Sequence, residues 1–235
     1  MKLALVDNRI SDEEKNNLEK RNIKVILCPS SNLLYPAVCG HPDMLLHIID
    51  EQTIIVHKNT DKEFVKLLKN LGINVILSSK SLENKYPEDI ILNALNIGDI
   101  FMHKLNYTDP NLLSLIKHKK LLNINQGYSK CSTAIVSPNA VMTSDIKIEK
   151  LLKKNDIDVL LLPPGDIILP GLNYGFIGGT CGLLDDNTLA FYGNLNMYKY
   201  GNEVLNFLKK HNVKPVFLSE GKLIDRGSIF CLDIR

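Results

Sequence analysis

A histidine and an aspartate stand two residues apart in the segment GHPDM, at His41 and Asp43, directly before a long apolar run. Histidine titrates near neutral pH and is therefore suited to general acid or base catalysis, and a neighbouring carboxylate stabilises its charged form. Titratable side chains at the start of a buried strand either cap that strand or belong to a site. We expect His41 and Asp43 to form part of a site, and the alternative is a loop histidine that caps a strand.

The cysteines of the chain are scattered and form no CxxC pair; they occupy positions 28, 39, 131, 181 and 231. This number and spacing predict free thiols rather than a disulfide framework or a zinc site. A thiol becomes nucleophilic when a nearby cation lowers its pKa, and Lys130 directly precedes Cys131. Cys131 is therefore a candidate nucleophile, whereas Cys28 and Cys39 are expected to be packing residues.

The elements that must position these residues recur along the chain. Strand-like runs begin roughly 40 to 50 residues apart, an interval typical of stacked or radial repeats; they cover 3–9, 53–59, 99–105, 140–145 and 188–195. Each run is followed by an amphipathic helix, a short strand, a loop and a second apolar run. Ser11 and Asp109 are expected to cap two of the helices, and Pro110 occupies the favoured first helical position.

This repeat predicts one α/β domain over residues 1–235, a five-bladed pseudo-symmetric propeller. Each unit of strand, helix, strand and strand is expected to form a three-stranded sheet with a helix on one face. Closing the sheets in a ring removes exposed edges, and the N-terminal strand can complete the last blade. The repeats cover approximately 3–50, 53–97, 99–137, 140–186 and 188–234. The alternative is an open α/β sheet of βαβ units.

In a ring, the loop before the last strand of every unit converges on one axis. These junctions carry polar or reactive residues that a strand alone does not need, so we predict a shared axial pocket. They are His41 and Asp43; Glu88 and Asp89; Ser129, Lys130 and Cys131; Gly178, Gly179 and Cys181; and Asp225, Arg226 and Cys231.

The five repeated units resemble the pentein propeller, the fold of the guanidine-modifying enzymes (arginine and agmatine deiminases, dimethylarginine hydrolases and amidinotransferases). His41-Pro42-Asp43 is similar to their H-x-D motif, which runs into an apolar strand, an acidic turn and another strand. The segment GSIFCL, 227–232, is similar to their C-terminal segment with the nucleophilic cysteine. With GHPDM, QGYSKC and GFIGG, the chain is similar to a bacterial branch of that superfamily.

The resemblance implies a cysteine-dependent hydrolase or deiminase that acts on a small guanidine or amidine compound. A thiolate, from Cys131 or Cys231, would attack the guanidinium carbon, and His41 with Asp43 would handle protons. The predicted ligand-binding residues are Asp89, Lys130, Cys181, Asp225 and Arg226, because a guanidinium needs carboxylates to hold it.

The arrangement departs from the deiminases in one respect. They carry H-x-D in the fourth unit and the cysteine in the fifth, whereas here H-x-D is in the first unit and the fourth has no histidine. The alternative function is therefore a non-catalytic pentein that binds a small ligand or a macromolecular partner. A metal site formed by His41 and Asp43 lacks a clear third ligand.

Composition narrows the possible partners. The formal net charge is +2 with no basic block, which disfavours nucleic acid and anionic membranes as partners. The N-terminus does not resemble a secretory signal, and no apolar run approaches the roughly 18 residues of a membrane span. We therefore expect a cytoplasmic protein that binds a small molecule and requires neither cofactor nor metal.

Overall fold

The sequence repeat corresponds to a repeat of strands and helices. A computed structural model describes residues 1–234. In chain order the elements are β1 (Lys2–Asp7), α1 (Asp12–Glu19), β2 (Ile23–Cys28), α2 (Pro42–Leu45), β3 (Leu46–Ile48), β4 (Thr53–Val56), α3 (Lys62–Asn70), β5 (Asn74–Leu77), β6 (Leu95–Ile97), β7 (Ile100–His103), α4 (Pro110–Ile116), β8 (Lys120–Asn123), β9 (Thr133–Ser137), β10 (Ala140–Thr143), α5 (Ile146–Lys153), β11 (Asp158–Leu161), β12 (Cys181–Asp185), β13 (Thr188–Phe191), α6 (Gly201–Lys210), β14 (Lys214–Phe217) and β15 (Phe230–Asp233).

Over residues 1–234 the strands form five three-stranded sheets, as the propeller prediction requires. Their orders are β15-β1-β2, β3-β4-β5, β6-β7-β8, β9-β10-β11 and β12-β13-β14. The middle strand of each sheet pairs antiparallel with one neighbour and parallel with the other, and a helix connects the two parallel strands. We call the antiparallel neighbours β3, β6, β9, β12 and β15 the inner strands, since β12 packs against both β9 and β15.

The composition of each sheet corrects one detail of the sequence analysis. The last strand of a repeat pairs with the first strand of the next repeat, and not with the strands of its own unit. The reason is the length of the connections. The turns 98–99, 138–139 and 186–187 have two residues each and make antiparallel hairpins, whereas longer loops separate the inner strand from the preceding parallel pair.

The first and last strands, β1 and β15, lie in one sheet. The N-terminal strand therefore completes the last blade, as predicted. β1 pairs antiparallel with β15 from Lys2 opposite Asp233 to Leu5 opposite Phe230. The backbone of Ile234 adds a further hydrogen bond to Met1. This pairing joins the last repeat to the first.

The two helix caps predicted from the sequence are found, and the longer helices bury an apolar stripe. Ser11 forms a capping box with Glu14, and Asp109 accepts hydrogen bonds from the amides of Asn111 and Leu112. The buried stripes include Phe64 and Leu68 in α3, Ile148 and Leu152 in α5, and Val204, Phe207 and Leu208 in α6. In residues 1–234, no helix has the length and apolar character that crossing a membrane requires.

One prediction about stability concerns the buried cap Asp109. Its second carboxylate oxygen also accepts the amide of Lys80, 2.7 Å away, so it holds three amides and is fully buried. We expect Asp109→Ala to lower the free energy of unfolding by about 2 kcal/mol in chemical denaturation. The exposed cap Asp61 accepts two amides, and Asp61→Ala should cost about 1 kcal/mol. Equal losses would contradict the role assigned to the Lys80 contact.

Candidate functional site

The segments that precede the inner strands meet on the axis of the ring. The residues two or three positions before each inner strand contact one another. Five side chains and one carbonyl form a single hydrogen-bonded group there, which we call the axial cluster: Asp43, Asn93, Lys130, Cys131, Ser228 and the carbonyl of Gly178. Every blade contributes to it, so the predicted convergence of the junctions is found.

Asp43 is the centre of the axial cluster and is almost completely buried. Its Oδ1 accepts a hydrogen bond from the thiol of Cys131 at 3.1 Å, and its Oδ2 lies 2.7 Å from the hydroxyl oxygen of Ser228. Asn93 fixes the opposite side, because its Oδ1 accepts the amides of Lys130 and Cys131 while its Nδ2 donates to the Cys131 sulfur. Asp43 therefore links the first, third and fifth repeats.

Lys130 lies across the axis next to this carboxylate. Its Nζ donates to the hydroxyl of Ser228 at 2.9 Å and to the carbonyl of Gly178 at 3.5 Å, and it lies 5.6 Å from the centre of the Phe230 ring. Within residues 1–234 no ion pair joins this ammonium to a carboxylate. The hydroxyl of Ser228 bridges the Lys130 ammonium and the Asp43 carboxylate.

His41 lies on the side of the axial cluster that faces away from the inner strands, which we call the loop side. There it stands between the carboxylates of Asp7 and Asp225. Its Nε2 is 3.9 Å from Asp7 Oδ2 and its Nδ1 is 3.8 Å from Asp225 Oδ1, and both distances exceed hydrogen-bond length. Its Nδ1 has no hydrogen-bond partner in the described part of the chain. His41 is therefore brought to Asp225, as predicted for a shared pocket, but no hydrogen bond connects it to Cys131.

Asp225 is a buried carboxylate held by backbone amides. Phe176 donates its amide to Oδ2 at 2.8 Å and Gly227 donates to Oδ1 at 3.0 Å. Burial is the main reason that the pKa of Asp225 is raised. Gly179 makes this position possible, because a Cβ there would lie 1.8 Å from Asp225 Oδ1. The predicted ligand-binding residue Asp225 thus lies beside His41, packed against Gly179.

Asp89 is a second buried carboxylate on the loop side. Its Oδ2 accepts the hydroxyl proton of Tyr128 at 2.6 Å, and its Oδ1 has no partner within residues 1–234. Burial raises the pKa of Asp89 and also, with the contact to Asp89, that of the Tyr128 hydroxyl. The Tyr128 ring lies 6.3 Å from the Phe176 ring, and Phe176 donates its amide to Asp225. Tyr128 and Phe176 therefore connect Asp89 with Asp225, through a hydroxyl, two neighbouring rings and a backbone amide.

The pKa values of the three thiols nearest the axis are raised rather than lowered. Burial, followed by the neighbouring Asp43, raises the pKa of Cys131 well above its ordinary value. Burial raises the pKa of Cys181 to about 11 and that of Cys231 to about 12. The expected lowering of the Cys131 pKa by Lys130 is not found, since the ammonium points to Ser228 and Gly178.

The remaining predicted residues lie away from the axial cluster. Arg226 pairs with Glu14 of α1 at 3.1 Å and donates to the carbonyl of Arg9, so its charge is directed outwards. Cys181 and Cys231 lie in β12 and β15, on the other side of Lys130 from His41, where they line a separate cavity. Among residues 1–234, no group of three side chains is arranged to hold a metal ion.

Several residues of the site were missed by sequence reasoning. Asn93 and Ser228 precede their inner strands by two residues, the same spacing that Cys131 has from β9. The repeat alignment contained this signal, but an amide and a hydroxyl carry little chemical information by themselves. Tyr128 lies in the loop that carries Cys131, whereas Asp7 ends β1 and is brought to the site only by the packing of the blades.

The geometry of the Asp89 carboxylate gives a prediction about pH. Because burial raises its pKa in the folded state, its contribution to stability is present at low pH and is lost as the pH rises through the folded-state pKa. We expect Asp89→Asn to be more stable than the wild type at pH 7 in chemical denaturation. The difference should vanish as the pH falls below the ordinary aspartate pKa of about 4.

The matched control is Asp158, whose pKa is shifted in the opposite direction. Hydrogen bonds from Lys210 and His211 lower the pKa of this partly exposed carboxylate. Its contribution is present at neutral pH and is lost as the pH falls through its folded-state pKa. Asp158→Asn should therefore be slightly less stable than the wild type at pH 7. Parallel pH profiles for the two variants would refute the burial argument for Asp89.

Several solved structures have an architecture similar to that of this chain. The chain is similar to SxtG, an amidinotransferase of Microseira wollei in the saxitoxin biosynthetic pathway, with 14% identity and a TM-score of 0.58 over 99% of this chain and 94% of that one. It is similar to an agmatine deiminase of C. jejuni, with 12% identity and a TM-score of 0.55 over 93% and 86% of the chains. DDAH of Pseudomonas aeruginosa, solved with citrulline, gives 8% identity and a TM-score of 0.54 over 92% and 90%.

At these identities the likeness establishes the fold, and the chain is a pentein propeller, as the sequence repeat and its motifs predicted. No curated protein sequence matches the chain significantly. Residues 5–230 match the family described as a family of unknown function, DUF6873. The chain belongs to this family.

Proposed function

We propose that this protein is an enzyme that acts on a small guanidine or amidine compound at the axis, and that Cys131 is its nucleophile. The observation that carries the proposal is the contact between the Cys131 thiol and Asp43 Oδ1, because Asp43 is the carboxylate of the H-x-D segment. A thiol that donates to a buried carboxylate has an acceptor for its proton in place. Cys231, the alternative nucleophile, has no such partner among residues 1–234.

The substrate class follows from the carboxylates on the loop side. A guanidinium is planar and cationic, and pairs of carboxylate oxygens are its best partners. Asp89 Oδ1 is unpartnered and Asp225 is held only by amides and the nearby His41. Burial penalises the charge of both carboxylates, so a bound cation would relieve a penalty that the free protein carries. The similar structures are a DDAH solved with citrulline, an agmatine deiminase and an amidinotransferase, all consistent with this ligand class.

The proposed reaction begins with the thiol in its neutral form. A bound guanidinium next to Cys131 favours the thiolate, and the thiol proton passes to Asp43. The sulfur then attacks the central carbon, a C–S bond forms, and the electrons of the C–N double bond move to nitrogen. One C–N bond breaks as the leaving amine takes up the proton from Asp43. Water then attacks the same carbon and gives one proton to Asp43. Its second proton goes to the departing sulfur as the C–S bond breaks, which leaves a urea from a guanidine, or an amide from an amidine, and restores the Cys131 thiol.

His41 has a supporting role in this proposal. It lies within 4 Å of Asp225 and Asp7 and has no hydrogen bond to the thiol, so its part is to help position these carboxylates. The resemblance would have assigned His41 to proton transfer at the leaving group. The observed distances instead support Asp43 as the proton acceptor of Cys131.

The experiment is turnover of a panel of small guanidines and amidines, followed by ammonia or amine release and by mass spectrometry of the protein. We expect a product for at least one compound and a covalent adduct that maps to Cys131. Cys131→Ser should abolish both, and Cys231→Ser is the matched control that should retain both. Turnover that survives Cys131→Ser, or the absence of turnover across the panel, would overturn the catalytic proposal.

A second candidate function is binding without chemistry, and the thiols favour it. Every thiol at the axis has a raised pKa and none is hydrogen-bonded to a histidine within residues 1–234. In that case a guanidine or amidine would bind in calorimetry without product. Its affinity would fall in Asp225→Ala and would be unchanged in Cys131→Ser.

A further inference from the structure

A second cavity lies on the axis, at the end of the ring formed by the hairpin turns. Its volume is about 230 Å³, and its wall repeats one position of the inner strands around the axis. These positions face the middle strands in corresponding registers: His47 opposite Ile55, Asn96 opposite Phe101, Ile135 opposite Val141, Leu183 opposite Leu189, and Cys231 opposite Ala4. His41, Asp43, Asp89 and Asp225 do not line it, and Lys130 is the one residue of the axial cluster that does.

The inner end of this cavity carries a positive charge. Lys130 lines the cavity, is 92% buried, and uses two neutral oxygens and the face of Phe230 as partners. A buried ammonium is costly unless an anion compensates it. Within residues 1–234 no carboxylate pairs with Lys130 directly, and the neighbouring walls of Ile135, Leu183 and Ile229 are apolar. The cavity thus offers a cation to an anionic group that enters it.

The outer end carries the opposite charge. An adjoining depression shares Ile48, Leu183 and Cys231 with the cavity, so the two spaces lie side by side along the inner strands. Its lining includes the acidic side chains of two hairpin turns and of the C-terminal strand: Asp50, Glu51, Asp185, Asp186 and Asp233. Lys2 lies 4.0 Å from Asp233 and compensates only part of this charge. From the mouth inward the order is therefore acidic, apolar and basic.

We propose that this cavity binds a small linear zwitterion, with its carboxylate at Lys130 and its ammonium at the acidic mouth. A simple anion would have to pass the acidic mouth, and a simple cation would meet Lys130 at the inner end. A ligand that carries only one of the two charges is therefore disfavoured. An apolar chain between the two charges matches the walls. The volume is below the roughly 300 Å³ at which ordinary ligand pockets begin, which restricts the ligand to a compact molecule such as an ω-amino carboxylate. The proposal does not depend on the guanidine chemistry above.

The experiment is calorimetric titration of the intact protein with a series of ω-amino carboxylates from 3-aminopropanoate to 6-aminohexanoate. Pentanoate and pentylamine serve as comparators that carry one charge each. We expect one chain length to bind at least about 10-fold more tightly than either comparator. Equal binding of the zwitterion and a comparator, or no binding of the series at millimolar concentration, would overturn the proposal.

Variants locate the ligand. Ile135→Phe fills the cavity from its wall and should weaken binding at least about 10-fold, while Asp186→Asn should weaken it a few-fold at low salt and less at high salt. Lys130→Met should abolish binding, and Ile135→Phe keeps the test valid if the lysine variant does not fold. Asp12→Asn, on the exposed start of α1, is the matched charge control and should have no effect. Binding that is lost in Asp225→Asn but retained in Ile135→Phe would place the ligand at the loop side and refute the assignment.

Discussion

Replacing Asp43 with alanine is expected to lower the free energy of unfolding by about 3 kcal/mol or more. Asp43 accepts the Cys131 thiol and the Ser228 hydroxyl, and Ser228 in turn accepts from Lys130. Alanine would leave the buried Cys131 thiol without its carboxylate acceptor and the Ser228 hydroxyl with only the Gly178 carbonyl. It would also remove a negative charge that is linked through Ser228 to a buried ammonium. Because Asp43 joins three repeats on the axis, the loss should appear as one cooperative shift of the denaturation midpoint.

Two variants make this prediction specific to the hydrogen bonds of Asp43. Asp43→Asn retains the shape and one acceptor oxygen, so it should cost roughly half as much as Asp43→Ala. Asp186→Ala removes an exposed carboxylate from a hairpin turn and should stay within about 0.5 kcal/mol of the wild type. If Asp43→Ala were as stable as Asp186→Ala, the axial cluster would not hold the blades together.

The second large effect is expected at Gly179. A methyl group at this position would lie 1.8 Å from Asp225 Oδ1 and 2.4 Å from its carboxyl carbon, so the buried carboxylate would have to move. The movement would break the hydrogen bonds from Phe176 and Gly227 as well as the approach to His41. We expect Gly179→Ala to lower the free energy of unfolding by about 3 kcal/mol or more in chemical denaturation. The same variant should also bind guanidines more weakly.

Gly221 provides the matched comparison for this substitution. A Cβ at Gly221 would meet nothing within 4 Å, and its φ is not in the left-handed region. Gly221→Ala should therefore be neutral or slightly stabilising, because alanine reduces the freedom of the unfolded chain. A small effect at Gly179 comparable with that at Gly221 would mean that Asp225 can leave its pocket without cost, and would weaken its assignment as a rigid ligand-binding carboxylate.

Much of the fold was determined by the local sequence. The runs 53–59, 99–105 and 188–195 became the middle strands β4, β7 and β13, and each is followed by a helix and a parallel strand. Apolar periodicity and caps act over a few residues, so a single sequence is enough to show them. The recurrence of the same unit then implied a ring, because repeated units leave unpaired edges unless they close.

The pairing of strands between repeats was decided by connection length rather than by unit boundaries. The two-residue turn at Gly98 and Asp99 joins β6 to β7, although these strands belong to different sequence repeats. A sequence repeat has no intrinsic starting point, so its phase is fixed only when strands find hydrogen-bonding partners. The short turns make antiparallel neighbours the nearest partners available.

The identity of the polar residues at the axis was contained in the sequence, but their contacts were not. The junction alignment singled out Asp43, Cys131 and Asp225, and the ring brings the blades that carry them together. Which partner each side chain takes depends on packing between blades that are distant in sequence, as with Asp43 and Ser228, 185 positions apart. The thiol pKa likewise depends on burial, which only the tertiary structure sets: Lys130 is adjacent to Cys131 in the chain, yet its ammonium points away from the sulfur.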